Sequence, residues 1–569
     1  MHDLVVRGGL IVDGTGAPPR QGDVGIDGER IAAVGSDVGA GHRELDARGM
    51  VVAPGWVDIH THYDGQATWD PYLTPSSWHG VTTVVMGNCG VGFAPARPDR
   101  HQWLIGLMEG VEDIPGTALA EGIRWDWQSF PEYLDALERT PRVLDVGTQV
   151  PHGAVRAYVM GERGARNEAA TAEDVAAMAA IVRDGVAAGA LGFSSSRTLL
   201  HRAIDGECVP GTFAAADEML GIGRVLGELG RGVLEVASDL TPEDPELQWM
   251  ETLSRETGRP VTFACLQNDR DPDQWRRLLD AADAVAARGG WLAPQVAARP
   301  TSMLMGLQSS IHPFALHQGY HAVADLPLDE RVRRLRDPAV RAAILAEKID
   351  LPNPLLAYIM GSFHKLFPLG DPPDYEPGPE RSVAAIAARE GRSPESVAYD
   401  LLLEHEGKGF LYFPFLNYSG GDFTAIQTML EHPRAVVGLA DGGAHCGVIC
   451  DASTPTYLLT HWVRDRSRGP RLPIEHLVAR QTRDTARLYG LEDRGMLTPG
   501  LLADLNVIDL ERLALLPPEM VFDLPAHGRR LVQRARGYRA TVKRGAVTYE
   551  DGVATGALPG RLVRGPQTA

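Results

Sequence analysis

Apolar and polar positions along this chain follow two rhythms. Between Leu4 and Val52, short apolar runs (Leu4-Val-Val, Leu10-Ile-Val12, Val24-Gly-Ile26, Ile31-Ala-Ala-Val34) are cut by turn pairs such as Asp13-Gly14 and Asp27-Gly28. That spacing predicts a small antiparallel β module. The far end reads the same way at 503–508 and 540–549, so the two ends are expected to pair into one sandwich with a domain inserted between its halves. The boundaries expected are 1–54, 55–495 and 496–569.

The middle alternates strand and helix patterns. Eight candidate strands fall at 56–62, 82–89, 145–150, 190–195, 232–237, 260–265, 290–295 and 436–441. Helical periodicity lies between several of them, as at 172–187, opened by the capping sequence Thr171-Ala-Glu-Asp174, and at 273–287. Eight strands with helical crossovers predict an α/β fold, a (β/α)8 TIM barrel, with an open doubly wound sheet as the alternative. One connection, 296–435, is much longer than a crossover needs and reads as an insertion at the barrel rim, where lids and substrate-binding walls are found.

Composition narrows the class. With 569 residues, 44% hydrophobic and 23% charged, the chain can bury a large core. A net charge of −19, unrelieved by any basic block, speaks against nucleic acid and anionic membrane as partners. Five irregularly spaced cysteines (Cys89, Cys208, Cys265, Cys446, Cys450) form neither a disulfide framework nor a paired zinc motif. Reduced thiols, with no export signal and no apolar run of bilayer length, lead us to expect a soluble cytoplasmic protein. Its expected partner is a small-molecule substrate, and the composition is compatible with a homo-oligomer.

Against that background the stretch Val51-Val-Ala-Pro-Gly-Trp-Val-Asp-Ile-His-Thr-His62 stands out. Two histidines at i and i+2 share one face of a strand, and at the end of a first barrel strand two neutral imidazoles make a transition-metal site. Asp441 ends the last apolar strand and precedes two glycines, which suits a carboxylate at the same rim. His60, His62 and Asp441 together satisfy a catalytic zinc, which commonly takes three protein ligands and leaves a position for water. Cys89, closing Thr-Thr-Val-Val-Met-Gly-Asn, is either a thiolate ligand or a small buried residue, and Cys265 is equally well a core position. After the fourth strand, Arg197 could clamp a substrate carboxylate or pair with Asp205, and His201 could shuttle protons or sit in a solvated loop. Gln295 could donate to the carbonyl under attack or bond to backbone, and His152 and His445 could position substrate or ligands. His364 and Lys365 read as surface or lid, and the run Phe410–Phe415 as a buried strand of the insertion.

These motifs, with Gly9-Leu-Ile-Val-Asp-Gly14, Gly80-Val-Thr-Thr-Val-Val-Met-Gly-Asn-Cys-Gly90, Gly189-Ala-Leu-Gly-Phe193, Asp441-Gly442 and Pro499-Gly-Leu-Leu-Ala-Asp504, resemble the amidohydrolase superfamily and, within it, its D-aminoacylase branch. The resemblance implies a composite β-sandwich beside a TIM barrel and one or two zinc ions at the C-terminal rim, with water attacking an amide carbonyl. It further implies His60 and His62 as first-strand ligands, Cys89 as the second-strand ligand, and Asp441 as both ligand and base. Two departures accompany it: 232–239 and 260–267 lack the histidines that relatives carry on their fifth and sixth strands, and Ala293-Pro294-Gln295 stands where they have Tyr-Pro-Tyr. The reading is therefore a zinc-dependent hydrolase of a linear amide, an N-acyl-D-amino acid deacylase, with Asp441 catalytic, His60, His62, Cys89 and Asp441 as metal ligands, and Arg197, His201, Gln295 and His445 facing substrate. Its rivals are a cyclic amidase of the hydantoinase type, and a non-hydrolytic enzyme or small-molecule binding barrel that has lost its second metal.

Overall fold

A computed structural model describes residues 1–241, 245–351 and 353–569. Eight parallel strands follow one another around a ring: Trp56–Asp58, Val81–Met86, Asp145–Thr148 continued by Val150–Pro151, Gly192–Arg197, Val233–Ser238, Val261–Ala264, Leu292–Val296 and Val436–Val437. Each pairs in parallel with its neighbour, and the ring closes where Thr61, beyond the first strand, bridges Gly442, beyond the eighth. Closure is what separates a barrel from an open doubly wound sheet. Several expected strands are shorter than their apolar runs, because the chain leaves the ladder before the histidines of the first and the aspartate of the last.

The lumen near the strand starts is filled by Val57, Val85, Leu191, Val233, Ala293 and Val436, against Leu488 and Tyr489 from the last helical segment. That apolar packing leaves the opposite, C-terminal ends of the strands to carry His60, His62 and Asp441. The outer helices form as their periodicity predicts. Ala172–Ala188 opens with both reciprocal bonds of a capping box between Thr171 and Asp174, and buries Met178, Val182 and Val186. Gln274–Ala287 buries Trp275, Leu278, Ala282 and Val285.

Strands from both chain ends join one sheet, through Leu505–Ile508 beside Val51–Pro54. It is mixed rather than antiparallel as expected. His2–Ile11 pairs antiparallel with Arg20–Asp27 but parallel with Gly41–Asp46 and Val51–Pro54, since an intervening hairpin returns the chain in its original direction. Buried charge ties sheet to barrel: Asp145, at the start of the third strand, lies 2.8 Å from Arg494, 2.9 Å from Lys543 and 3.0 Å from Arg544. Burial alone would raise its carboxyl; the three cations outweigh that and hold it well below the usual range.

The insertion carries its own core of Met305, Phe314, Val332, Leu411 and Phe413. Leu411–Pro414 lies between Ser302–Met305 and Phe367–Pro368 in an antiparallel sheet, so the aromatic run is a buried strand as expected. His364 is exposed, but Lys365 is not a surface residue. Its ammonium is buried 2.6 Å from Asp269, beyond the sixth barrel strand, and pins the insertion to the rim. Among the described residues no helix is long and apolar enough to cross a membrane.

Candidate metal centre

His60 and His62 lie just past the first strand with their rings 5.4 Å apart, both buried. The His60 ring is held from behind, its Nδ1 2.9 Å from Gln295 Oε1. His62 Nδ1 lies 3.2 Å from Glu112 Oε1 but makes no hydrogen bond to it. The acceptor on His60 Nδ1 assigns the proton there and leaves its Nε2 lone pair free, the arrangement typical of metal-ligating histidine. Cys89 Sγ lies 3.3 Å from His60 Nε2, and Asp441 Oδ1 lies 3.4 Å from His60 Nε2 and 3.6 Å from His62 Nε2. The donor atoms of His60, His62 and Cys89 all fall within 4.8 Å of one another. The two ends of the site are joined by the barrel seam itself, Asp441 N–H donating to His60 O and His62 N–H to Gly442 O.

The backbone here is unusual. Cys89, Asp441 and His445 all have left-handed φ, at +54°, +48° and +53°. Side chains other than glycine seldom adopt that conformation, and where they do it clusters at functional sites. Room is made as well: a Cβ on Gly438 would sit 2.5 Å from Gln295 Oε1, so glycine just past the eighth strand admits the amide that orients His60.

Electrostatics set the protonation states. Burial pushes His62 down to about 4 despite Asp441, so it is a neutral imidazole at physiological pH. Burial would raise Asp441, but the imidazoles of His62, His60 and His445 together hold it well below the usual carboxylate range. Burial, and then the carboxylates Glu235, Glu112, Asp441 and Asp64, push the Cys89 thiol far up. Glu112 is driven well above its ordinary value by burial and by Asp441, Asp64 and Glu235. Asp58 and Asp64 rise to about 7, chiefly through burial. Asp58, Asp64, Glu112, Glu235 and Asp441 thus crowd one end of the barrel, and among the described residues none forms an ion pair with lysine or arginine. Carboxylates gathered without a cationic side chain, around two imidazole lone pairs and a thiol, fit a divalent cation.

The remaining expected residues divide. His201 faces the site: its Nδ1 is 3.0 Å from Ser196 Oγ, and burial, then the charges of His445, His62 and His60, push it down to about 3. His445 Nε2 lies 3.7 Å from Glu112 Oε2, and its N–H donates to the Glu112 carbonyl. Gln295 turns its oxygen to His60, while its Nε2 is buried without a partner, so its amide hydrogens stay compatible with the expected role at a substrate carbonyl. Arg197 departs from its expected role. Its fork is closed on Glu246, at 2.6 and 2.7 Å, with a third bond to Gly211 O, so it is available neither to a substrate carboxylate nor to Asp205. His152 is locked between Ser195 Oγ and Glu218 Oε1, at 2.9 and 3.0 Å, and Cys265 is a core residue against Met429.

Sequence reasoning missed Glu112 and Glu235. Each carried a signal. Glu112 falls one and two turns beyond Met108 and Ile105 on the apolar face of helix His101–Glu112, and Glu235 interrupts the apolar run of a central parallel strand.

Residues 43–549 match the model of the amidohydrolase family. A D-aminoacylase of Alcaligenes xylosoxydans xylosoxydans is 28% identical over 574 residues, covering 99% of this chain and 97% of its own. An N-acyl-D-glutamate deacylase of the same organism is 28% identical over 90% of this chain and 88% of its own. Among solved structures, a D-aminoacylase described for its binuclear metal centre, with one-metal activation and second-metal attenuation, superposes with a TM-score of 0.66 at 25% identity, covering 99% of this chain and 100% of that one.

Proposed function

We infer the reaction of this chain from the premise that it belongs to the amidohydrolase family, a metal-dependent hydrolase of carbon–nitrogen amide bonds. The substrate we propose is a linear N-acyl-D-amino acid, the metal zinc. The observation that carries the reading is the convergence of His60 Nε2, His62 Nε2, Cys89 Sγ and Asp441 Oδ1 at the strand ends, on a chain similar to D-aminoacylase over nearly its whole length. Imidazole and thiolate together favour zinc over magnesium or calcium, whose ligands are oxygens.

When bound, zinc would polarise the scissile carbonyl and make water a nucleophile near neutral pH. His60, His62, Cys89 and Asp441 would hold it. Gln295 fixes the His60 imidazole by its Nδ1 atom, which keeps that ring in its ligating tautomer, and the Glu112 carboxyl lies beside His62 Nδ1 at 3.2 Å. Asp441 stays ionised and is the proton acceptor nearest the convergence point; the same carboxyl returns the proton to the leaving amine. His201, neutral and held by Ser196, is the imidazole we assign to the substrate side, with His445 braced behind it on Glu112.

The cyclic-amidase alternative that uses a metal-bridging carboxylated lysine finds no residue for it. The chain has four lysines: Lys348 and Lys408 are exposed in the insertion, Lys365 pairs with Asp269 and Lys543 with Asp145 and Asp504. The test is a screen of paired D- and L-N-acyl amino acids with metal content measured on the same sample. Release of free D-amino acid by metal-bearing protein is the expected result, and a metal-bearing protein that opens only cyclic amides overturns the reading.

A further inference from the structure

At the N-terminal end of the barrel, opposite the metal centre, a groove is lined by charge that the hydrolytic reaction does not use. It lies between the last helical segment and the residues that lead into the seventh and eighth strands. Its volume is about 550 Å³, within the roughly 300–1,000 Å³ that small-molecule sites occupy. Val436 and Leu488, part of the packing that fills the lumen, give it an apolar floor. Its walls are cationic. The last helical segment, Ile474–Ala479 continued by Arg480–Asp484 and Thr485–Leu488, contributes His476, Arg480, Arg483 and Arg487, at the spacing of four, three and four that keeps residues on one helix face. The middle of that segment is a π-helical turn, a feature frequent at functional sites. Arg434 faces it from the approach to the eighth strand, and Trp291, 44% exposed, from the approach to the seventh.

The charges in this groove do not balance. Asp484 serves both Arg480, at 3.3 Å, and Arg483, at 2.8 Å, while Asp283 lies 3.4 Å from Arg434. Arg487 is exposed and, among the described residues, pairs with no carboxylate, so four guanidiniums share two acids. The chain as a whole is acidic, with 74 Asp and Glu against 55 Lys and Arg, and a local surplus of positive charge runs against that composition. Arg480 belongs to the frame, since it donates to the carbonyls of Ala435 and His432. Burial lowers its pKa, Asp484 opposes that, and the neighbouring Arg483 adds to it, so an anion placed between these side chains would relieve like-charge crowding.

We propose that the groove binds a small phosphorylated ligand with a planar ring, of the nucleoside diphosphate type, its phosphates on Arg434, Arg483 and Arg487 and its ring against Trp291. A carboxylate offers two oxygens in one plane and is matched by a single guanidinium fork. A phosphate presents oxygens on several sides and suits guanidiniums that converge from a helix and from the opposite wall. An indole exposed in the same wall offers the stacking surface that bases use, and the apolar floor excludes water beneath it. This site is independent of the chemistry at the other end of the barrel.

The test is calorimetric titration of ADP and of inorganic pyrophosphate, at fixed ionic strength, into wild type, Arg434→Gln, Arg487→Gln and Trp291→Ala. All three positions are exposed, so the substitutions leave the core intact. We expect wild type to bind ADP more tightly than pyrophosphate. Each glutamine should weaken both probes by about tenfold, the scale of one charge-assisted bond, and Trp291→Ala should bring ADP down to the level of pyrophosphate. Wild type that binds neither probe overturns the proposal, as does binding that survives both glutamine substitutions. Equal affinity of wild type for the two probes overturns it too, because the ring would then contribute nothing. Phosphates also ligate metals, so the titrations are repeated with N-acyl-D-amino acid present; ADP displaced by that substrate and indifferent to Arg434 and Arg487 would lie at the catalytic centre, which again refutes the assignment.

Discussion

Glu112→Gln is the perturbation that separates the metal-free from the metal-loaded protein most sharply. In the wild type the carboxylate is buried, 3.2 Å from His62 Nδ1 and 3.7 Å from His445 Nε2. With no cation present its folded pKa is raised well above the usual value, by burial and then by the charges of Asp441, Asp64 and Glu235. For an acid raised on folding, the unfolded state ionises first; stability is full at low pH and is lost as pH climbs above the ordinary carboxylate range toward the folded value. The metal-free glutamine variant escapes that loss and should melt higher than metal-free wild type at neutral pH. With metal bound the sign reverses. An amide then stands beside His62 Nδ1 where a carboxylate stood, so a charge-assisted contact becomes a neutral one of about half the strength. Outer partners of ligating histidines are worth about ten- to a hundredfold in affinity, so we expect about tenfold, or about 1.4 kcal/mol, for glutamine and nearer a hundredfold for alanine. Calorimetric melting with and without zinc, beside affinity measured by chelator competition, reads both signs. A glutamine variant shifted in the same direction in both states, or one of unchanged affinity, would refute the reasoning.

Asp441→Asn should lower kcat by about 10²–10⁴-fold, the range general acid–base catalysis supplies, while leaving substrate binding in place; turnover at the parental rate would move the proton to another group. Gly438→Ala puts a Cβ 2.5 Å from Gln295 Oε1 and should displace the amide from His60, weakening metal by about tenfold in a folded protein, as chelator competition would report. His79 is buried between Thr456 and Gln533 and pushed down to about 4, chiefly by burial. Between pH 6.5 and 4 the unfolded chain binds a proton the folded one refuses, so unfolding free energy should fall by about 3 kcal/mol across that window from this residue. His79→Gln should flatten the slope, and equal slopes in denaturant titrations at pH 7, 5.5 and 4 would contradict the assignment.

The fold was legible because a barrel writes itself locally: an apolar run, a turn, a capped amphipathic helix, repeated. His60 and His62 were legible for a related reason, that two residues two apart on an extended segment share a face whatever surrounds them. Asp441 could be read from its place after the last run. The supporting groups could not be read so directly. Glu112 ends a helix with Glu109 one turn before it, and only the burial of Met108 and Ile105 shows which of the two acids faces inward. Arg197 misled because its partner, Glu246, opens the helix after the fifth strand, and a pairing of that range has no local trace. Gln295 was placed at the right rim, but its bond to His60 could not be read: which side of it His60 occupies depends on closure of the ring between the first and last strands.

The seam also sets the order in which the protein can be completed. Asp441 follows His60 by about 380 residues, and at roughly 5–20 residues per second a ribosome takes about 20–75 s to cover that interval. From Cys89 onward, both imidazoles and the thiol exist in a nascent chain without the carboxylate or the eighth strand that seats them. Zinc acquired then would meet an unfinished set of donors, and an oxidant would meet a cysteine not yet enclosed. A centre that uses all four side chains therefore cannot be completed until Asp441 and the eighth strand have been made.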